Sequence, residues 1–168
     1  MVKKLKFIHI TKCAGSFIEK IGKENNMKWG KYHNEYGFWH NYLITRSNEL
    51  KYKYDWFMIV RNPYDRILSE YYCKWRGIGG KNVRHSKEEF NKFLIQKINN
   101  RTPKTICDYH IDFHYCEQYK YLDPSVNIHI IKFENMYQEL TLLFKKYNLN
   151  IVLPKKKVNS RNDYNSKF

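Results

Sequence analysis

The chain has little with which to staple, anchor or divide itself. Its 168 residues hold only four cysteines, Cys13, Cys73, Cys107 and Cys116, with no CxxC pair and no Cys/His spacing of the zinc-finger kind. That predicts free thiols in a reducing compartment, without a disulfide framework and with no metal. No apolar run approaches the ~20 residues that a membrane helix needs. There is no signal-peptide pattern at the start, so a cytoplasmic setting is the expectation. Glycine (7) and proline (4) are sparse. No repeat, low-complexity tract or linker interrupts the chain, and residues 1–168 read as a single domain large enough for its own core. Acidic residues are in deficit, 16 against 31 Lys and Arg, for a formal net charge of +15. The phosphate-binding pattern GxxxxGK[ST] is also missing, as is a strand ending in an aspartate for Mg²⁺; both absences disfavour a metal-dependent kinase.

What the chain has in quantity is aromatic and basic. Fifteen Tyr, ten Phe and four Trp accompany the positive charge. A polyanionic partner fits: a nucleotide, an acidic glycan, nucleic acid or an anionic membrane. A coding bias toward Lys, Asn, Ile and Tyr accounts for part of the excess, so charge alone selects no partner.

Apolar patterning gives a coarse order of elements. Leu5–Ile10 reads as a buried strand, with a helix starting near Phe17. Met27–His40 is ambiguous, and Tyr42–Leu50 has the look of a short helix. Asp55–Arg61, DWFMIVR, is the clearest strand, a continuous apolar run of the kind covered on both faces. Asn62 as N-cap, Pro63 at the first helical position and Asp65 in the first turn open a helix expected to reach about Arg76. Ser86–Glu89, SKEE, has the form of a capping box before Phe90, Phe93, Leu94 and Ile98. A helix over Phe113–Leu122, a strand over Val126–Phe133 and a helix carrying Met136, Leu140, Leu143, Phe144 and Tyr147 complete the series. Strands alternating with helices imply an α/β fold with a small central, mainly parallel sheet between helical layers.

In such a fold ligands bind beyond the carboxyl ends of the strands. The stretch FIHITKCAGSF, Phe7–Phe17, leaves a strand, passes Lys12, Cys13, Ala14, Gly15 and Ser16, and enters a helix. Small residues at a helix N-terminus let backbone amides approach an anion, and Lys12 and Ser16 add a cation and a hydroxyl. A second cluster, VRNPYDRILSEYY, puts Arg61 at another strand end, with Ser69 two turns into the following helix and Arg66 between them. An arginine fork and a hydroxyl make a second anion site, and two such sites suit a nucleotide phosphorylated at both ends.

These two stretches resemble the sulfotransferase superfamily that uses 3'-phosphoadenosine 5'-phosphosulfate (PAPS) and releases PAP. The first is similar to its 5'-phosphosulfate loop, the second to its 3'-phosphate motif. IIKFENM, Ile130–Met136, resembles the late strand of the short carbohydrate-modifying members, including heparan sulfate 2-O-sulfotransferase-like families; KVNSRNDY, Lys157–Tyr164, resembles their closing loop. Thr11 stands where the family usually has proline. The resemblance implies a P-loop-like α/β fold and metal-independent in-line transfer of a sulfuryl group from PAPS to a hydroxyl or amine, with a carbohydrate as the expected acceptor. It implies Lys12 as the catalytic cation, the loop from Lys12 through Cys13, Ala14, Gly15, Ser16 and Phe17 for the 5'-phosphate, and Arg61 and Ser69 for the 3'-phosphate. Ser160 and Arg161 would close over the nucleotide.

A hydroxyl acceptor needs a base, and His40 in GFWHNYL is the first choice, with His33 second and Glu35 third. His9 reads as structural. Cys13, beside Lys12 and a helix N-terminus, is a weaker candidate as a low-pKa nucleophile. His110, His114 and Cys107 lack the second ligand pair of a zinc site. Glu134 is expected to order the sheet end, and Tyr115 and Gln118 to line the acceptor side. Two rival readings are a P-loop-like nucleotide kinase or nucleotide-binding module, and a basic nucleic-acid-binding protein whose aromatic rings stack on bases.

Overall fold

A computed structural model describes residues 3–33, 40–73, 86–99 and 114–154. The three strands β1 (Lys4–Ile8), β2 (Tyr54–Val60) and β3 (Ile128–Lys132) form one parallel sheet in the order β1-β2-β3. Phe7 pairs with Phe57, and Met58 with Ile130. The central strand β2 has apolar neighbours on both faces: Trp56, Phe57, Met58 and Ile59 are all buried. That is why its sequence does not alternate.

Helix α1 (Gly15–Glu24) follows β1 and buries Phe17, Ile18 and Ile21. Helix α2 (Asn48–Lys53) is capped by Ser47, whose hydroxyl accepts from the Leu50 amide at 3.3 Å. It leads directly into β2. Helix α3 (Pro63–Tyr71) begins as its sequence predicts, the Asn62 side chain accepting from the Tyr64 amide at 2.9 Å. Helix α4 (Lys87–Asn99) opens on a reciprocal capping box: the Ser86 amide donates to Glu89 Oε2 at 2.7 Å, and the Glu89 amide to Ser86 Oγ at 3.2 Å. Helix α5 (Met136–Lys146) packs Met136, Leu140, Leu143 and Phe144 inward. The main core joins these faces. Trp29 stacks on Phe144 with 5.6 Å between ring centroids, and its indole N–H donates to Leu5 O at 2.9 Å. A smaller cluster, Tyr71, Tyr72 and Phe93, joins the end of α3 to α4.

Three sequence expectations need correction. Tyr42–Leu50 is not one helix: a 3-10 turn at Leu43–Thr45 ends before α2 begins. Helix α3 stops at Tyr71, short of Arg76, and residues 74–85 lie outside the described chain. The part of Phe113–Leu122 that is described forms turns and a 3-10 segment, Gln118–Tyr121, rather than a helix. There the Gln118 amide is taken up by the backbone beyond β2, and tertiary bonds override the helical spacing. Among the described residues no helix is long and apolar enough to cross a membrane.

Candidate functional site

The loop after β1 is a strained turn held from several sides. Lys12 and Ala14 both adopt left-handed φ, 62° and 61°, a conformation that L-residues enter only under constraint. Left-handed residues alternating with an ordinary one form the backbone pattern of an anion-holding nest. Ala14 serves as the N-cap of α1 and offers no side-chain cap. The amides of Gly15 and Ser16 therefore have no acceptor among the described residues, as expected at an uncapped helix start. The Phe17 amide is already committed, donating to Ala14 O at 3.0 Å. Gly15 is required by crowding: a Cβ there would lie 1.9 Å from His9 Nε2. Lys12 is half-buried, and no ion pair holds its ammonium among the described residues.

Arg66 supplies the constraint. It is buried, and its guanidinium donates to Thr11 O at 3.0 Å, Thr11 Oγ1 at 3.0 Å, His114 O at 3.2 Å and Cys116 O at 2.5 Å. Arg66 is a strut tying α3 to the loop. Thr11 earns its place at the usual proline position by giving this strut a hydroxyl acceptor. Arg61 is the arginine that remains available. Its ring-stacked guanidinium lies 4.4 Å from the Phe133 centroid, Nη1 donates to Lys12 O at 3.4 Å, and Nε is buried without a partner. Its backbone is held by Gln118, which accepts from Arg61 N and donates to Arg61 O, both at 2.8 Å. Gln118 thus occupies the position of a strand neighbour at the end of β2, beside Arg61. Ser69 is buried one face away, its hydroxyl making no hydrogen bond among the described residues. Glu134 accepts from the Asn62 amide at 3.0 Å and so orders the sheet end; that bond holds its carboxyl below the ordinary carboxylate range.

Cys13 is fully buried, and its thiol donates to Gln118 Oε1 at 3.2 Å. Burial pushes its pKa up to about 11, against the pull of Arg66 and Arg61. Burial and the raised pKa both weigh against a nucleophilic role.

His40 is brought to this loop. Its Nδ1 lies 3.2 Å from His9 O. A carbonyl only accepts, so Nδ1 carries the proton and Nε2 the lone pair. Burial, reinforced by the neighbouring His9, lowers the His40 pKa to about 3. Two histidine–carboxylate pairs flank it: His9 Nδ1 with Glu19 Oε1 at 2.7 Å, and His114 Nδ1 with Glu70 Oε1 at 2.8 Å. The His40 ring stands edge-on to both histidines, at 4.4 and 6.3 Å between centroids. Sequence reading missed both carboxylates, because Glu19 and Glu70 look like ordinary polar positions of α1 and α3. His33 is elsewhere: buried, it packs edge-on against Tyr54, at the far end of β2 from Arg61. Tyr115 packs against the α3–α4 cluster. Glu35, Cys107, His110, Ser160 and Arg161 lie outside the described residues.

A model of the Sulfotransferase family matches residues 2–165. The chain belongs to the sulfotransferase family. Searches of the curated proteins and of the solved structures return no match. Sulfotransferase membership accounts for the two strand-end motifs together. It makes the chain a transferase of sulfuryl groups, with a nucleotide donor and an acceptor.

Proposed function

We propose that this sulfotransferase moves a sulfuryl group from PAPS to a hydroxyl or amine, with a carbohydrate as acceptor. The observation that carries the reading is a pair of anion-ready groups at adjacent strand ends. The Gly15 and Ser16 amides with Lys12 follow β1, the Arg61 fork with its unpartnered Nε follows β2, and the Arg61–Lys12 contact joins them. Residues of this kind fit a nucleotide with phosphates at both ends. The amides of Lys12, Ala14, Gly15 and Ser16 would hold the 5' group, the Cys13 amide being committed to Ile10 O at 3.3 Å, and Arg61 with Ser69 would hold the 3'-phosphate. Ser160 and Arg161 would close over it. Phe17 would stay in the core behind the loop, its amide committed to Ala14.

Bound PAPS supplies the activated sulfuryl group and a phosphate leaving group. The chain's own work is positioning and charge stabilisation. Lys12 sets a cation beside the loop amides, where negative charge builds as the bond to the phosphate lengthens. With that positive charge in place, in-line transfer needs no metal. His40 Nε2 accepts the proton of the acceptor group, while Nδ1–H stays anchored to His9 O and keeps the ring oriented. An anion in the loop raises the basicity that burial lowers. Tyr64 and Tyr119, 82% and 67% exposed, flank the Arg61 strand end and offer flat faces to a sugar ring.

The test is a thermal-shift titration with PAP, set against ATP plus Mg²⁺. At a hundredfold excess over Kd, PAP should stabilise the fold by about 2.7 kcal/mol. ATP with Mg²⁺ should do less, and Arg61→Ala should respond to PAP far more weakly. No response to PAP, or an equal one from Arg61→Ala, overturns the reading. A binding response that tracks salt alone would favour nucleic acid instead.

A further inference from the structure

A second cluster of reactive side chains stands at the far end of α3. Cys73 lies just beyond the helix, three residues after Glu70, and its amide donates to Glu70 O at 2.8 Å. His114 comes from a distant part of the chain and is brought in by Arg66, which donates to the carbonyls of His114 and Cys116. A carboxylate oxygen of Glu70, the sulfur of Cys73 and a ring nitrogen of His114 all lie within 4.8 Å of one another. Glu70 is 0% exposed and Cys73 5%.

One feature of this cluster is not satisfied by the protein. Glu70 Oε1 meets His114 Nδ1 at 2.8 Å, but Oε2 is buried with no partner. A fully buried carboxylate with one bare oxygen is an expensive arrangement unless something else neutralises it. A hydrogen bond to His114 accounts for one oxygen only. A cation bound among the three groups accounts for both oxygens and for the thiol.

We propose that Glu70, Cys73 and His114 form a site for a divalent cation of the zinc class, with water in the fourth position. A donor set of one sulfur, one imidazole nitrogen and one carboxylate is that of zinc, and the sulfur excludes Mg²⁺ and Ca²⁺ as preferred occupants. Bonds of about 2.0–2.3 Å give a tetrahedron with edges of roughly 3.5 Å, which small side-chain rotations reach from the present spacing. On binding, the Cys73 S–H bond breaks, its proton leaves to solvent and a sulfur–metal bond replaces it. His114 binds as neutral imidazole through Nδ1, which gives up its hydrogen bond to Glu70 Oε1 as the ring proton shifts to Nε2. Affinity therefore falls as pH falls. The metal clasps the end of α3 to the segment that carries Gln118. It also steadies the His114 ring that packs on His40. The site does not depend on the transfer reading, and the sulfuryl chemistry is not routed through it.

The experiment uses the full chain, stripped with chelator and titrated with Co²⁺, then Zn²⁺ in competition with a chromophoric chelator. One Co²⁺ per chain should bind with visible bands of tetrahedral intensity and a near-ultraviolet sulfur-to-cobalt band. Cys73→Ser should lose the sulfur band, and Glu70→Gln and His114→Ala should weaken Zn²⁺ binding by about tenfold or more. Cys116→Ser should keep both. X-ray absorption of the zinc-loaded wild type, which needs no variant to fold, should show one sulfur at about 2.3 Å and lighter atoms near 2.0 Å. The proposal is overturned by absence of stoichiometric binding. A sulfur band that persists in Cys73→Ser, or that is lost only in Cys107→Ser or Cys116→Ser, overturns it equally.

Discussion

On one side of His40, the Glu19 carboxylate takes its two hydrogen bonds on Oε1 and faces Lys31 Nζ with Oε2. It accepts from His9 Nδ1 at 2.7 Å and from the Lys31 amide at 2.9 Å, with Lys31 Nζ at 3.9 Å. On the other side, Glu70 holds His114 with one oxygen and nothing with the other. The two pairs share chemistry and nearly share burial, yet differ in closure. Burial alone would raise the Glu19 carboxyl, but the His9 hydrogen bond, the His9 charge and the Lys31 amide outweigh it and hold the group below its ordinary range. A closed pair of this kind braces the loop after β1, whose Gly15 lies against the His9 ring. An open pair is poised to take a ligand. Complete satisfaction rather than burial separates a structural ion pair from a binding site.

The comparison can be broken in graded ways. The largest effect is expected at the residue between the pairs. His40→Ala should lower the transfer rate by about 10²–10⁴-fold, as loss of a general base does, while leaving PAP binding intact. Initial rates and a PAP titration check both halves, and unchanged turnover would remove His40 as the base.

The pairs themselves come next. Glu19→Gln should cost about 2–3 kcal/mol in urea unfolding, because charge-assisted bonds to His9 and Lys31 weaken together. In metal-free protein Glu70→Gln should cost only about 1 kcal/mol, since one oxygen bonds nothing. Equal costs would erase the distinction drawn between closed and open pairs.

A pH titration separates His40 from the carboxylates. His40 titrates near 6.5 when unfolded and near 3 when folded, so the unfolded chain takes up the proton first. Stability should fall as pH drops from about 6.5 toward 3 and be fully retained above that window. The depressed Glu19 carboxyl adds its own loss only below its ordinary 4.5. In His40→Asn the fall between pH 6.5 and 4.5 should flatten while the lower limb stays. The smallest expected effect is at Cys13: its thiol, held near pKa 11 by burial, should resist thiol reagents at pH 7.5 in the native state. Labelling of Cys13 at the rate of a free thiol would contradict the enclosed loop.

Much of the structure at the two strand ends was legible because its signals are local. A strand end, two small residues and a lysine specify the first loop, and Asn62, Pro63 and Asp65 specify the start of α3 within a few positions. The strand β2 announced itself by an unbroken apolar run. Failures occurred where long-range bonds outvoted local spacing. Gln118 sits in helix-compatible sequence, but its side chain completes the backbone of Arg61, 57 positions away. Arg66 had no role assigned from local spacing, because its four bonds reach Thr11, His114 and Cys116, about fifty positions distant along the chain.

The sequence alone therefore determined the parallel α/β order, the turn after β1 with its lysine and the placing of Arg61 at the end of β2. Each of those rests on residues adjacent in the chain, where spacing and propensity act directly. Only the tertiary structure decided which arginine is a strut, that Cys13 is an inert thiol, and that His33 belongs to the opposite end of the sheet. It also decided that Glu70 and His114, 44 positions apart, meet with Cys73 around a bare carboxylate oxygen. Burial and hydrogen-bond satisfaction are properties of the packed interior, and no local pattern encodes which buried oxygen is left without a partner.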